Sequence, residues 1–571
     1  MSKLYGLSCR SGPAWLVLLC GLGVFGLVLY AYTAFIEDLG GFSTAHTSRQ
    51  FIELTLLVYL YSLFFWLLKP VPGRSLLAGL PILLIYLVHD IYYLTFASVF
   101  RLINISELPE LLQVLPFSDA IPLVLLAVIP LGLFLAMLDY RLSKVLILWL
   151  SPMVMLFVCV IGIPRAFATN LEQLAGEIVK YSDSRSVENN GRIAMLLYRE
   201  AQRQSSLAQL APYRNRPAYD QQVAASMDDL QPHNLRRNIH LIVLESFLDP
   251  RLFHDLDFSG PPAHPEFDKL FADKLGLSRA PVFGGATAQA EFEVLCGVPA
   301  FEILSSVEFN VFTGAQAHCL PSKLSKLGYR SVATNSYKPN FFNALPGYLG
   351  MGFTESYFPR EFSGARKSYL RFGDPGKEEY LFDRPLFEQN LAFIKTHLQR
   401  HADQPLFNYL LTIYGHTPHI LDPDKRPEII QLQSDYSDDH LQRVVNQFYY
   451  RTEAIADYVN QLLSIDRESL IILISDHVPP LRNGPNTYQA LGYLDNKKNS
   501  YYYNRIAIIE NGEAKVYPVM HHYELPPLIF NYLSNGEYCR QHACAFMYPD
   551  QRMPRKAYMQ DYLRLMAHAA E

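Results

Sequence analysis

Three short stretches of this 571-residue chain join an apolar run to residues that can do metal-assisted chemistry. In the first, Ile239-His-Leu-Ile-Val-Leu244 runs directly into Glu245. A carboxylate at the end of a buried strand is a hard ligand for a divalent cation, or else a helix-capping acid. In the second, Leu470-Ile-Ile-Leu-Ile-Ser475 ends in Asp476-His477, adjacent side chains that can hold one cation together. The third is Gly284-Gly-Ala-Thr-Ala-Gln-Ala-Glu-Phe-Glu-Val-Leu-Cys296. Its two glycines let backbone approach a ligand closely, Thr287 stands at an expected helix cap, and Phe292, Leu295 and Cys296 supply the apolar stripe of the helix. A hydroxyl at a helix amino terminus faces partial positive charge, which favours a phosphate or its transition state. Alone, Thr287 reads as a cap; beside a metal ion, which lowers the pKa of a hydroxyl, it reads as a nucleophile.

These residues need rigid elements to hold them. From Asn238 onward, short apolar strands alternate with helical patterns: Ile239–Leu244, Tyr329–Thr334, Leu406–Ile413, Leu470–Ser475 and Arg505–Ile509 as strands, Gln316–Leu327 and Asp439–Leu463 as helices. Such alternation predicts an α/β layered domain with ligands outside the carboxyl ends of its strands.

The amino-terminal third is a different kind of chain. Sixteen of the first 163 residues are Asp, Glu, Lys or Arg, about one in ten against about one in five beyond. Five apolar runs, near Ala14–Phe35, Phe51–Leu68, Leu76–Val99, Ile121–Leu138 and Val145–Ile163, are long enough to be membrane helices, and the first is too long for a cleaved signal peptide. Lys3, Arg10, Lys69, Arg74, Arg141 and Lys144 fall on one side and only Arg49 and Arg101 on the other, which predicts a cytoplasmic amino terminus and an exported remainder. Trp15, Trp66 and Trp149 all lie in or beside these runs. The expected organisation is a five-helix transmembrane domain over 1–163, a juxtamembrane helical connector over 164–237 and an extracytoplasmic catalytic domain over 238–571. Aliphatic and aromatic content excludes a disordered chain, and a net charge of −5 offers no footprint for nucleic acid. Cys296, Cys319, Cys539 and Cys544 fall in the exported part, where oxidation is permitted. Of the three possible pairings, Cys296–Cys319 with Cys539–Cys544 is favoured over buried free thiols.

The order Glu245, Thr287, Asp476-His477 resembles the exported domain of the alkaline phosphatase and sulfatase superfamily. More narrowly, five amino-terminal membrane helices and the motif Thr287-Ala-Gln-Ala-Glu-Phe292 are similar to the lipoteichoic acid synthase (phosphoglycerol transferase) branch. The resemblance implies an alkaline-phosphatase-like fold. It also implies that Glu245, Thr287, Asp476 and His477 ligate one divalent cation, Mn2+ ahead of Zn2+ or Mg2+, and that Thr287 takes the phosphoryl group. His416, in Tyr414-Gly-His-Thr-Pro-His419, matches the family histidine that contacts the transferred group. The segment Asn335–Ala344 departs from the family, whose histidine, tryptophan and arginine near Asn335, Phe342 and Ala344 are absent. Asn335, Phe342, Lys338 and His416 are therefore the candidate substrate-binding residues, with Lys338 as replacement charge. The sulfatase signature Cys/Ser-x-Pro-x-Arg is also missing, since Cys296-Gly-Val-Pro-Ala300 has the wrong spacing and no Arg, which argues against sulfate ester hydrolysis.

Two features stand apart. His89 and Asp90 fall inside the third apolar run, as contacts for a lipid head group or as a hydrogen bond between helices. His521 and His522 follow a strand-like run, lining the site or lying on the surface. Together these readings predict a bacterial inner-membrane, multi-pass enzyme whose catalytic domain faces the periplasm or outside. It would move phosphoglycerol from a membrane phospholipid through a phosphothreonine to an envelope glycan or lipid. The alternatives are phosphoethanolamine transfer, to an envelope glycan or lipid A, and a catalytically silent membrane sensor with the same fold.

Overall fold

The computed structural model describes residues 14–43, 50–96, 99–107, 117–140, 144–174, 178, 183–228, 237–271, 274–305, 307–363, 367–433, 436 and 438–571. Lys3, Cys9, Arg10, Arg49 and Arg141, and parts of the third apolar run and of the expected connector, lie outside the described residues, as does the side chain of Lys144. The chain divides into two compact units, one ending at Ala208 and one beginning at Gln209.

In the first unit, helices occupy all five apolar stretches: α1 (Ala14–Asp38), α2 (Phe51–Leu67), α3 (Leu80–Phe96), α4 (Phe117–Ala136) and α5 (Lys144–Gly162). Among the described residues, Ala14–Asp38 and Arg74–Leu94 are long and apolar enough to cross a membrane. A third candidate is Ile147–Gly162 taken with α6 (Pro164–Leu174), a pair bent by 110°. The amphipathic helix α7 (Arg192–Ala208) is held by buried acids. The Glu53 carboxylate accepts the backbone N–H groups of Arg192, Ile193 and Ala194 at 3.1, 3.1 and 2.8 Å, and the Tyr86 hydroxyl at 2.6 Å. Those amides would otherwise be orphan donors of a helix start, where a carboxylate also complements the macrodipole. Asp90 accepts from Arg192 Nε at 2.7 Å and from Tyr32 OH at 2.9 Å, so it links α1, α3 and α7. The reading of Asp90 as an interhelical hydrogen bond is the one the structure realises.

The second unit is built on a sheet of nine strands among the described residues: β1 (Ile239–Leu244), β2 (Gly276–Arg279), β3 (Arg330–Asn335), β4 (Glu355–Tyr357), β5 (Leu406–Leu411), β6 (Leu470–Ser475), β7 (Tyr503–Glu510), β8 (Glu513–Lys515) and β9 (Met520–His521). Their order is β9-β2-β7-β6-β1-β5-β3-β4, with β8 paired to β7. The run from β6 to β4 is parallel, and β7 lies antiparallel to both β6 and β2. β1, β5 and β6 are buried at every position, which explains their mostly apolar sequences, broken only by His240, Asn408 and Ser475: helices cover both faces of a parallel sheet. Two of these helices, α9 (Asp383–Arg400) and α10 (Asp439–Ile465), pack against each other over the core around Leu386, Ile394, Ala454 and Tyr458.

Register fixes the rest. Leu244 pairs with Ser475, Val243 with Leu411, and Leu411 with Asn335. Asp476, Glu245, the Thr412–His419 loop and the segment after Asn335 therefore leave the same carboxyl edge of four neighbouring strands. The helix expected over Gln316–Leu327 begins only at Leu320, because Cys319 is extended and Pro321 sets the first turn. The short strands β2, β4, β8 and β9 carry no long apolar run and went unpredicted. Both favoured disulfides are formed, Cys296–Cys319 and Cys539–Cys544.

Candidate active site

Glu245 and Asp476 stand side by side at the ends of β1 and β6, and both are buried. With His477 they offer ligand atoms that all lie within 4.8 Å of one another. His477 Nδ1 sits 3.0 Å from the Val478 carbonyl, so it carries the proton there and turns the lone pair of Nε2 inward. That Nε2 lies 3.2 Å from Asp476 Oδ2 and 3.9 Å from Glu245 Oε1. Asp476 Oδ1 is satisfied by the amides of Ser246 (2.7 Å) and His477 (2.6 Å).

Thr287 completes the group: its Oγ1 donates to Glu245 Oε2 at 2.9 Å. It opens helix α8 (Thr287–Cys296) as its first helical residue rather than as its cap. The cap position is Ala286, in the left-handed region at φ 56°, and no side chain caps the helix. The hydroxyl is thus free of backbone duty and points to the acids. Gly284, at φ 69°, brings the loop against Pro480, where a Cβ would lie 2.9 Å from the proline ring.

The donor set fits a divalent cation. Among the described residues, Asp476 Oδ2 and His477 Nε2 are buried without a hydrogen-bond partner, an arrangement costly unless something positive sits between them. Burial pushes Asp476 well above the usual carboxylate range, with the Glu245 charge adding to it. Burial opposes charge on Glu245 too, but His477, His416 and the hydroxyls of Ser246 and Thr287 outweigh it and hold the carboxyl low. Burial holds His477 below the ordinary imidazole range, which keeps it a neutral ligand. Two carboxyls, one hydroxyl and one imidazole suit Mn2+, Zn2+ or Mg2+ alike. Glu245→Ala and Asp476→Ala are each expected to lose stoichiometric divalent metal by elemental analysis, and full metal content in both would refute the site.

Residues that sequence inspection missed hold this group in place. Ser246, at φ 46°, gives its hydroxyl to Glu245 Oε1 at 2.9 Å. Thr412 Oγ1 accepts the Glu245 amide at 3.0 Å. Arg451, from the middle of α10, donates to the Glu245 carbonyl at 2.7 Å and to Asp383 at 2.7 Å. Their partners lie as far as 206 residues away in the chain, so no local spacing announces them.

Residues 237–534, more than half of the chain, match the sulfatase family model. The chain belongs to the sulfatase family. As a sulfatase-family member it is 28% identical to an uncharacterized Haemophilus influenzae protein over 35% of this chain and 36% of that one. It is 24% identical to a Rhizobium meliloti protein named for cyclic beta-1,2-glucan modification, over 46% of this chain and 38% of that one. The chain thus spans little more than a third of the length of these curated relatives. Among solved structures, the lipoteichoic acid synthase LtaP of Listeria monocytogenes is similar at 18% identity and a TM-score of 0.44, covering 55% of this chain and 78% of that one.

Within this family member, His416 is half-buried on the loop after β5, with Nδ1 2.8 Å from the Thr417 carbonyl and 3.1 Å from Tyr380 OH. Asn335 is occupied on both sides: Nδ2 donates to Tyr348 OH at 3.0 Å and Oδ1 accepts the Tyr337 amide at 2.8 Å. Lys338 Nζ lies over Tyr337, 5.1 Å from the ring centroid, and burial lowers its pKa. Phe342, at φ 45°, packs on Phe341. His522 is buried, and burial pushes it down to about 3. His521 is half-buried, packed on Tyr523.

The helix bearing Thr287 rests on buried acids. Tyr348 and Tyr409 donate to Glu291 at 2.5 and 2.7 Å. Glu293 accepts the Ala300 amide at 3.0 Å, and burial raises its pKa to about 8. A carboxyl raised in the fold contributes most below its unfolded pKa, and that contribution is lost as pH rises through 8. Glu293→Gln should therefore gain on the unmodified chain by roughly 2–4 kcal/mol between pH 4.5 and 8, read from denaturant melts across that window. A constant difference would show that Glu293 keeps its ordinary pKa.

Proposed function

We propose that this protein is a membrane-anchored, metal-dependent transferase that moves a phosphoglycerol head group from a phospholipid to an envelope glycan or lipid through a phosphothreonine at Thr287. The observation that carries the reading is the Thr287 hydroxyl, hydrogen-bonded to Glu245 beside two buried, unpartnered ligand atoms. Glu245, Thr287, Asp476 and His477 would hold the cation, Mn2+ first among the candidates, and its chemistry there is to lower the hydroxyl pKa and to offset charge on the phosphoryl oxygens.

Glu245 Oε2 already receives the Thr287 hydrogen, which gives that proton its first acceptor. Thr287 Oγ1 then attacks phosphorus, the bond from phosphorus to the diacylglycerol oxygen breaks, and the acceptor hydroxyl later reverses the event. With Nδ1 tied to Thr417, His416 presents Nε2 as the atom able to exchange a proton with the departing or arriving oxygen. Asn335 ends β3, Lys338 and Phe342 follow it at the same sheet edge, and the three are the proposed contacts to the head group.

Five crossings by α1 to α5 in a bacterial inner membrane would keep the second unit outside, beside a donor that cannot leave the bilayer. Two disulfides in that unit support an oxidising compartment. The glucan in the name of the Rhizobium meliloti relative supports a glycan acceptor. Mass spectrometry of the Thr287 peptide, after the full chain is incubated with phosphatidylglycerol vesicles, tests the reading. A gain of one phosphoglycerol on Thr287 is expected; a gain only from phosphatidylethanolamine vesicles would change the head group, and no adduct from either would overturn the transferase.

A further inference from the structure

Buried polar atoms without a partner also gather beside the candidate active site: both ring nitrogens of His419, Nδ1 of His440 and Nε of Arg443, counted among the described residues. His419 ends the loop that carries His416, and its amide donates to the His416 carbonyl at 3.2 Å. Its backbone is held at φ 61°, unfavourable for a side chain of this size, and its ring lies 5.9 Å from that of His440. His440 and Arg443 lie near the start of α10 three residues apart, and so share a face. Gln447 continues that stripe, buried against the Tyr414 carbonyl.

Among the described residues, Arg443 and Arg482 face His440 with positive charge and Asp438 and Asp439 with negative charge. The Asp438 carboxylate, which caps the helix, accepts the amides of His440 and Leu441 at 2.9 and 3.1 Å and of Arg482 at 3.2 Å. Asp439 is exposed, Glu378 is paired with Arg426, and exposed Glu379 faces His416. Burial, with His440, His416 and Arg443 nearby, holds His419 well below its ordinary range.

We infer that His419, His440 and Arg443 form an anion subsite next to His416 that takes a phosphate group. A tetrahedral oxyanion satisfies a guanidinium and imidazole N–H groups with charge-assisted hydrogen bonds, which answers the missing partners. Only the class of anion rests on the phosphotransferase reading; the need for an anion rests on the unpartnered atoms.

Inorganic phosphate, titrated calorimetrically into the metal-loaded full chain, tests the subsite directly. One binding event is expected that weakens at least tenfold in Arg443→Gln and in His440→Gln, returns in part in Arg443→Lys, and persists in Asp476→Ala, whose metal centre is broken. Unchanged binding in both Gln variants, or loss of all phosphate binding in Asp476→Ala, would overturn it. His440 is half-exposed, so His440→Gln keeps the test valid should Arg443→Gln fold poorly. Where phosphate binding is weakened, a higher KM for phosphatidylglycerol vesicles in Arg443→Gln, with kcat kept, assigns the subsite to the lipid phosphate. An unchanged KM assigns it to free phosphate. The titration stands even if no Thr287 adduct is found, so failure of the subsite and failure of the transferase are separable.

Discussion

If the proposed transferase reading holds, Thr287→Ala should yield a folded protein that forms no adduct and turns over no donor. The substitution deletes the attacking oxygen, and nothing else in the cluster supplies a hydroxyl so placed: Ser246 gives its own to the other oxygen of Glu245. Loss of a nucleophile costs at least about a thousandfold in turnover. The fold loses one hydrogen bond to a carboxylate, about 1.5–3 kcal/mol, and no helix cap, since Thr287 lies inside the helix it begins. Thr287→Ser keeps the oxygen and should keep measurable turnover, losing only the methyl that restricts its rotamer. His416→Ala should slow transfer while leaving metal content unchanged. Head-group release from labelled phospholipid checks all three, and full turnover by Thr287→Ala would leave the silent-sensor reading in place of the enzyme.

Gly415→Ala should be nearly as damaging, although residue 415 has no side chain to offer the cluster. A Cβ there would lie 2.0 Å from the Glu245 carbonyl oxygen and 2.4 Å from Arg451 Nη1. Neither can give way cheaply. Arg451 is buried and tied to Asp383, Thr412 and that same carbonyl. The extra methyl must therefore push the end of β1, and Glu245 with it, away from Thr287 and Asp476. A loss of more than about a hundredfold in turnover is expected, since misplacements near an ångström cost that much, with about 1–3 kcal/mol of stability for the overpacking. Metal content and turnover together check it. Activity within twofold of the unmodified chain would show that the loop relaxes elsewhere.

How much of this was legible in the sequence follows from where each signal is stored. Glu245 and Asp476-His477 announce themselves because an apolar strand that stops at a charged residue marks the edge of a buried sheet, and β1 and β6 have the bounds expected for them. Thr287 was legible as a residue at a helix start but not in its exact place, because an alanine in left-handed backbone at 286 is foretold by no propensity. Arg451 and Thr412 were invisible: each looks ordinary in its own segment and acquires meaning only when α10 and β5 come to lie against β1. The same holds for Glu53, whose place in an apolar run gives no hint that it holds the first amides of the helix begun at Arg192. His419 stood in a motif read for its neighbour His416.

The order of strands has a consequence for the chain as it is made. β1 is the central strand bearing Glu245, yet one of its two partners, β6, leaves the ribosome some 230 residues later, after β5 has covered only the other side. Until Leu470–Ser475 emerges, β1 presents a bare apolar edge, and half of the ligand set has yet to be translated. Chemistry and structural completeness thus arrive with the same segment. A chain that ended before Leu470 would carry Glu245 and Thr287 without Asp476 and His477, and would leave β1 open along one edge.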